Sequence, residues 1–282
     1  MRAAETTTLT DAYAVFGNPI GHSKSPFIHA AFARACGQDM SYAAIEAPLG
    51  GFASALAAFR AAGGRGANVT APFKLDAFAA ADVLSERARA AGAVNALKFE
   101  DGRTLGENFD GVGLLRDIEV NQGFPVAGRR VLLLGAGGAA RGAAPAILAR
   151  KPALLTVVNR DKAKAAGLVE AFAALGPLDV CGYDELARRP AYDLVLNSTS
   201  ASWRGEAPPA PASCFARGAL AVELVYGKGL TPFLAAARAA GAGQLADGVG
   251  MLVEQAAEAF AWWRGVRPQT RAIIAELTVP LV

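Results

Sequence analysis

Asn68-Val-Thr-Ala-Pro-Phe-Lys74 places an amide, a hydroxyl and an amine at the end of an apolar extended run. In alternate positions of a strand Asn68 and Thr70 face the same side, and α/β folds gather their ligand chemistry at such C-terminal strand ends. A lysine alone is ordinarily a surface charge, so Lys74 draws its interest from these neighbours. Asn108-Phe-Asp110-Gly111 is a similar group, an amide and a carboxylate ahead of a helical run, where an N-cap is the ordinary role. Ser23-Lys24-Ser25-Pro26 offers hydroxyls two residues apart, either donors to an anionic group or turn and capping residues. His22 and His29 belong to no cluster and read as structural.

A different chemistry is written in mid-chain by Val131-Leu-Leu-Leu-Gly-Ala-Gly-Gly-Ala-Ala-Arg-Gly142. An apolar strand running into a glycine turn and a helix start holds a dinucleotide pyrophosphate on free helix N–H groups. Gly135 suits the tight turn, Gly137 lets backbone approach phosphate, and Ala140 keeps helix and strand close. At the end of the next strand stands Asn159-Arg160, where NAD-binding folds carry a ribose-binding carboxylate. An arginine there suits the 2′-phosphate of NADP, which a carboxylate would repel.

The elements that must position these groups alternate along the chain. Ahead of the glycine turn the pattern predicts strands at 13–16, 40–45 and 66–71 and helices at 27–36 and 51–62, with a helix at 77–91 by composition. A hairpin follows, turning at Asp101-Gly102. After a helix at 110–120 and the break at 121–125, strands at 131–134, 154–158, 178–181, 194–197 and 220–224 alternate with helices at 139–150, 162–175 and 232–240. That is a doubly wound parallel sheet, and the alternation ahead of it also argues a parallel sheet. Residues 207–212 read as a loop, and 248 onward as an amphipathic helix.

At 282 residues with 53% hydrophobic and 19% charged content, the chain has room for two cored domains and is too apolar for disorder. Its 28 basic and 25 acidic residues are mixed, so nucleic acid is not implied. Cys36, Cys181 and Cys214 are scattered, suggesting neither a disulfide framework nor a zinc site. No apolar leader or membrane span is found, and a cytoplasmic location is expected.

Taken together, Gly17-Asn-Pro-Ile-Gly-His-Ser-Lys-Ser-Pro26, Gly66-Ala-Asn-Val-Thr-Ala-Pro-Phe-Lys74, Gly92-Ala-Val-Asn95, Asn108-Phe-Asp-Gly111, Gly135-Ala-Gly-Gly-Ala139, Asn159-Arg160 and Ala246-Asp-Gly-Val-Gly-Met-Leu-Val-Glu-Gln255 resemble the shikimate dehydrogenase family. The resemblance covers nearly the whole chain in the family's order. It implies reversible NADPH-dependent reduction of 3-dehydroshikimate to shikimate, on the route to chorismate and the aromatic amino acids. It further implies an α/β substrate-binding domain over 1–109, completed by C-terminal helices in 248–282, and a Rossmann-like domain over 110–247.

By the same resemblance Lys74 and Asp110 form the catalytic pair. Ser23, Ser25 and Tyr226 hold the substrate carboxylate, and Asn68, Thr70, Asn95, Asp110 and Gln255 bind ring hydroxyls. Gly135, Ala136, Gly137, Gly138, Ala139, Asn159, Arg160, Lys164, Thr199, Leu224 and Gly248 contact NADP. No metal is implied, and a monomer or homodimer fits. The chain departs from the family at Phe109 and Ala96, where hydroxyls are usual, and at Glu223, where aspartate is common. Asp161 and Lys164 stand where a hydroxyl and an arginine usually face the 2′-phosphate, which keeps open a quinate/shikimate dehydrogenase with some NAD use. A non-catalytic dinucleotide-binding regulator is the reading from another class.

Overall fold

The computed structural model describes residues 10–281. They fall into two compact units, one with the residues up to Asn108 together with Ala259–Gln269, the other with Phe109–Glu258 and the residues from Thr270 on.

The first unit runs β1 (Asp11–Gly17), α1 (Ser25–Cys36), β2 (Met40–Glu46), α2 (Phe52–Ala61), β3 (Gly64–Val69), α3 (Lys74–Ala80), β4 (Val83–Leu84), α4 (Glu86–Ala91), β5 (Ala96–Glu100) and β6 (Arg103–Glu107). Its sheet order is β2-β1-β3-β5-β6-β4. β1 pairs parallel with β2 and β3, but β5 pairs antiparallel with both β3 and β6. The sheet is therefore mixed, which corrects the expectation of a parallel one. The β5–β6 pairing follows from a short hairpin, whose turn places Asp101 at φ 49° and Gly102 at φ 75°, the left-handed pair that a two-residue hairpin requires.

The helix expected over 77–91 is also corrected, because it breaks between α3 and α4. Asp82 Oδ2 accepts from the Thr104 N–H at 2.7 Å, and Ser85 Oγ caps α4 by accepting from the Ala88 N–H at 3.0 Å. Short polar side chains that bond nearby backbone favour such stops over helix continuation.

The second unit runs α5 (Asp110–Arg116), β7 (Arg130–Leu134), α6 (Gly138–Ala149), β8 (Leu154–Val158), α7 (Lys162–Phe172), β9 (Leu178–Cys181), β10 (Tyr192–Asn197), β11 (Phe215–Glu223), α8 (Pro232–Ala239), β12 (Gln244–Ala246), the first part of α9 (Val249–Arg264), whose residues from Ala259 belong to the first unit, and α10 (Arg271–Leu277). β12 is a strand that periodicity did not reveal. All its strands pair parallel in the order β12-β11-β10-β7-β8-β9, the doubly wound dinucleotide-binding arrangement. β7 shows why both faces must be covered. Val131 and Leu133 enter one hydrophobic core, and Leu132 and Leu134 enter the other.

The C-terminal stretch is divided by its partners. Trp263 Nε1 donates to the Leu97 carbonyl at 3.0 Å and its ring stacks on Tyr13 at 4.7 Å, within the first unit. Glu254, within the second, accepts from Thr270 Oγ1 at 2.7 Å and Asn121 Nδ2 at 3.1 Å.

Near Glu254 lies Asp117, at the start of a π turn that ends α5. It is fully buried, and Oδ2 has no hydrogen-bond partner. Burial first, and then the Glu254 and Asp247 charges, push its carboxyl up to about 6 against the pull of Asn121 and Gln122. A raised carboxyl favours the folded state only while it is protonated. The group's contribution to stability is complete below the ordinary 3.8 and is lost as pH rises through about 6. Asp117→Asn is expected to raise stability at pH 8 by about 1–3 kcal/mol, with the gain gone by pH 4, as read by denaturant unfolding at both values.

Among the described residues all three cysteines are free. Among the same described residues, no group of three or more His, Cys, Asp or Glu is placed to hold a metal ion, and no helix is long and apolar enough to cross a membrane.

Candidate active site

In the first unit the chain leaves β3 at Val69 and enters α3 at Lys74, so Thr70 and Lys74 flank a single turn. The Thr70 N–H donates to the Phe16 carbonyl at 2.9 Å, next to Gly17. A Cβ on Gly17 would stand 2.7 Å from both Thr70 Cγ2 and Ile20 Cδ1, so glycine alone lets Thr70 seat there. The half-buried Lys74 has its carbonyl bonded by the Val94 N–H at 3.0 Å, and the neighbouring Asn95 N–H donates to the Glu107 carbonyl at 3.0 Å. These bonds bring the Asn95 loop to the start of α3.

Asn68 and Asn95 are both buried. Asn68 Nδ2 donates to the Asn95 carbonyl at 3.2 Å, while Asn68 Oδ1 accepts from the Tyr42 hydroxyl at 2.7 Å and from His29 Nε2 at 3.1 Å. Burial pulls His29 down to about 3, so the ring is neutral and donates from Nε2. His29 is structural, as its isolation suggests, and the group it supports is Asn68. Ser23 Oγ accepts from the Ser25 N–H at 3.3 Å, so the turn role is real, and Ser25 is buried as the first residue of α1.

In the second unit the buried Asp110 opens α5. A Cβ on Gly111 would lie 2.5 Å from the Gly142 carbonyl oxygen, and one on Gly113 would lie 2.6 Å from the Gln255 nitrogen. α5 thus approaches α6 and α9 to glycine distance, which sets Gln255 one turn along from Asp110. The half-buried Tyr226 precedes Gly227, whose N–H donates to Asp247 at 3.3 Å. Asp247 also accepts from the Val249 N–H at 3.1 Å, fixing the Tyr226 loop to the start of α9. Gly248 and Leu224 meet as well, for a Cβ on Gly248 would fall 2.4 Å from the Leu224 carbonyl oxygen.

Gly135, Ala136, Gly137, Asn159, Arg160 and Thr199 line one cleft of about 350 Å³. Gly135 turns at φ 108°, and a Cβ there would stand 2.6 Å from Ser198 Oγ. Gly137 and Gly138 have open space where a Cβ would be, as close phosphate approach requires, and Gly138 and Ala139 begin α6. These features fit a dinucleotide. Thr199 is held by Asn197, whose Oδ1 accepts from Thr199 Oγ1 at 2.7 Å and whose Nδ2 donates to Glu223 at 2.9 Å. Glu223 is fully buried, and burial raises its carboxyl. Glu223 therefore anchors the loop that carries Thr199 through Asn197.

Lys164 is exposed in the first turn of α7 and does not line this cleft. Asp161 caps that helix, accepting from the Ala163 and Lys164 N–H groups at 3.1 and 3.4 Å. Sequence reasoning missed Tyr183 and Arg204, which line the cleft beside Arg160. Tyr183 follows the end of β9 as Arg160 follows that of β8, and this strand-end rule would have found it.

Comparisons with known proteins agree with this architecture. The description "Shikimate dehydrogenase substrate binding domain" matches residues 15–97, "Shikimate / quinate 5-dehydrogenase" matches 119–204, and "Shikimate 5'-dehydrogenase C-terminal domain" matches 248–278. The chain is 54% identical to the shikimate dehydrogenase (NADP(+)) of Nitrosospira multiformis over 95% of its own length and 98% of the relative's. Among solved structures, an Ael1 enzyme from Pseudomonas putida is 57% identical with TM-score 0.92, covering 96% of this chain and 100% of that one. Shikimate 5-dehydrogenase from Thermus thermophilus, in complex with NADP(H) and shikimate, is 34% identical with TM-score 0.85, covering 94% and 97%. Identity above half over almost the full length, on a fold whose glycine turn and strand ends are built as described, places this chain in the shikimate dehydrogenase family.

Proposed function

We propose that this chain is an NADP-dependent shikimate dehydrogenase that reversibly reduces 3-dehydroshikimate to shikimate. The observation that carries the reading is the cleft in which Arg160 stands with the Gly135–Gly137 turn, a cation where a ribose phosphate would lie. The unit built on β7–β12 would bind the cofactor, and the unit built on β1–β6 would supply most of the substrate contacts. Gly138, Ala139, Lys164, Leu224 and Gly248 complete the proposed cofactor set.

The bound nicotinamide supplies or takes up the hydride. Lys74 Nζ gives its proton to the carbonyl oxygen as that oxygen becomes an alkoxide, and takes it back in the reverse direction. Until the proton moves, its charge stabilises the oxyanion. Asp110 orients the amine. Ser23, Ser25 and Tyr226 hold the carboxylate, while Asn68, Thr70, Asn95 and Gln255 bind ring hydroxyls. The enzyme would work in the cytoplasm on small molecules, as a monomer or homodimer.

Nicotinamide absorbance followed with shikimate and with quinate, each against NADP and NAD, tests this reading. Shikimate with NADP should give the highest kcat/KM. Comparable rates with quinate and NAD would instead identify a quinate/shikimate dehydrogenase, and absence of turnover with all four pairs would leave a nucleotide-binding regulator.

A further inference from the structure

Arg160 and Arg204 both line the cleft at the glycine turn, Arg160 from the loop after β8 and Arg204 from the end of a short turn, Ala201–Arg204, that follows β10. In the sheet β8 and β10 lie on either side of β7, whose end carries the glycine turn, so the two guanidiniums belong to loops on opposite flanks of that turn. Strands two apart are separated by about 10 Å, a gap that two arginine side chains can close on one group between them. A cleft of about 350 Å³ is at the small end for a ligand site, so its lining meets one part of a ligand.

The turn that carries Arg204 is fixed from behind. Ser202 Oγ donates to the buried Glu223, the Glu206 N–H donates to the Ala201 carbonyl at 3.1 Å, and the Lys228 ammonium lies 5.2 Å from the centre of the Trp203 ring. The Arg204 side chain itself has only local partners in the cleft wall. Nε and Nη2 donate to one Glu206 oxygen at 3.2 and 3.1 Å, and Nη1 donates to Ser200 Oγ at 3.1 Å. Arg204 and Glu206 are 48% and 60% exposed, and an ion pair so exposed is worth little. A guanidinium–phosphate contact is charge-assisted and can be bidentate, so a phosphate in the cleft outcompetes Glu206.

The charge of the proposed cofactor calls for a second cation. A phosphate monoester on ribose carries about −1.5 to −2 at pH 7, more than one arginine neutralises. Lys164 does not line the cleft, and the N–H groups of Ala163 and Lys164 at the start of α7 are taken by the Asp161 carboxylate. The pyrophosphate is served differently, by the glycine turn and the start of α6, which no side chain caps. We propose that Arg204 is a second cofactor-selecting cation, which exchanges Glu206 for the ribose 2′-phosphate and holds it from the flank of the glycine turn opposite Arg160. This rests on the NADP reading above, and the two can fail separately. A wild-type protein that binds NADH as tightly as NADPH overturns the cofactor reading. A wild type that prefers NADPH, beside an Arg204→Ala variant with the same preference, overturns the role of Arg204 alone.

The experiment is fluorescence titration of NADPH and NADH against the wild type, Arg204→Ala, Arg204→Lys, Glu206→Gln and the Arg204→Ala/Glu206→Gln double variant, with Tm for each. Arg204→Ala should weaken NADPH by roughly 5- to 50-fold, a charge-assisted contact less the exposed pair it gives up, and move NADH by less than about twofold. Arg204→Lys keeps the charge without the fork and should fall between the wild type and alanine. Glu206→Gln removes the competitor and should tighten NADPH by about 2- to 5-fold, a gain that shrinks in the Arg204→Ala background. Equal losses of NADPH and NADH in Arg204→Ala would assign the arginine to the pyrophosphate and overturn the proposal. A Glu206→Gln gain of the same size in both backgrounds would refute the exchange.

Discussion

Lys74→Met is expected to lower turnover by roughly 10²- to 10⁴-fold, the range for loss of a general acid/base, with a smaller effect on KM. Methionine keeps much of the stem and removes the amine proposed to protonate the alkoxide. The backbone bond from the Val94 N–H to the Lys74 carbonyl does not depend on the side chain and survives the substitution. Tm should therefore stay near wild type, and hydride transfer in single turnover should carry the loss. Asp110→Asn should impair both turnover and binding, since it removes the carboxylate proposed to orient the amine while keeping a hydrogen-bonding group. If the two residues act as one unit, the double variant will fall far short of additivity. A Lys74→Met enzyme that folds and retains near full turnover would falsify the mechanism.

The second large effect concerns cofactor choice. Arg160→Ala should weaken NADP by roughly 10- to 150-fold, the equivalent of about 1.5–3 kcal/mol for a charge-assisted contact, and leave NAD nearly unchanged. Arg160 is exposed, and its neighbour Asn159 holds the loop by donating from Nδ2 to the Asp161 carbonyl at 2.9 Å. Truncation should thus remove the guanidinium without unfolding the turn. Titration of NADPH and NADH fluorescence separates the cases, and equal losses for both would place Arg160 away from the 2′-phosphate.

Much of this organisation was legible because the informative residues lie close together in sequence. The strand, glycine turn and helix from Val131 to Gly142 are one local unit, and so are Asn68, Thr70 and Lys74 at the end of β3. The β5–β6 hairpin could be read from Asp101-Gly102 alone. What stayed hidden depends on distant partners. The antiparallel pairing of β3 with β5 is settled by chain direction across the sheet, which periodicity does not encode. The split between α3 and α4 was masked by an alanine-rich stretch, and Asp82 revealed its role only through Thr104. The link from Tyr42 and His29 to the site was out of reach because their partner Asn68 is 26 and 39 residues away.

The loop after β8 has a consequence for how such an enzyme can evolve. The side chains Arg160, Asp161 and Lys164, proposed to bear on cofactor choice, are all exposed. The one with a structural duty, Asp161, performs it through a carboxylate oxygen that a threonine hydroxyl can replace as an N-cap. The glycine turn after β7 is constrained by comparison, since Gly135 cannot accept a side chain against Ser198, and so is the entry to α9, where Gly248 cannot accept one against Leu224. On the proposed role of this loop, a change of nicotinamide cofactor would therefore need only a few exposed side chains, while the ability to hold a dinucleotide at all is inherited with the backbone.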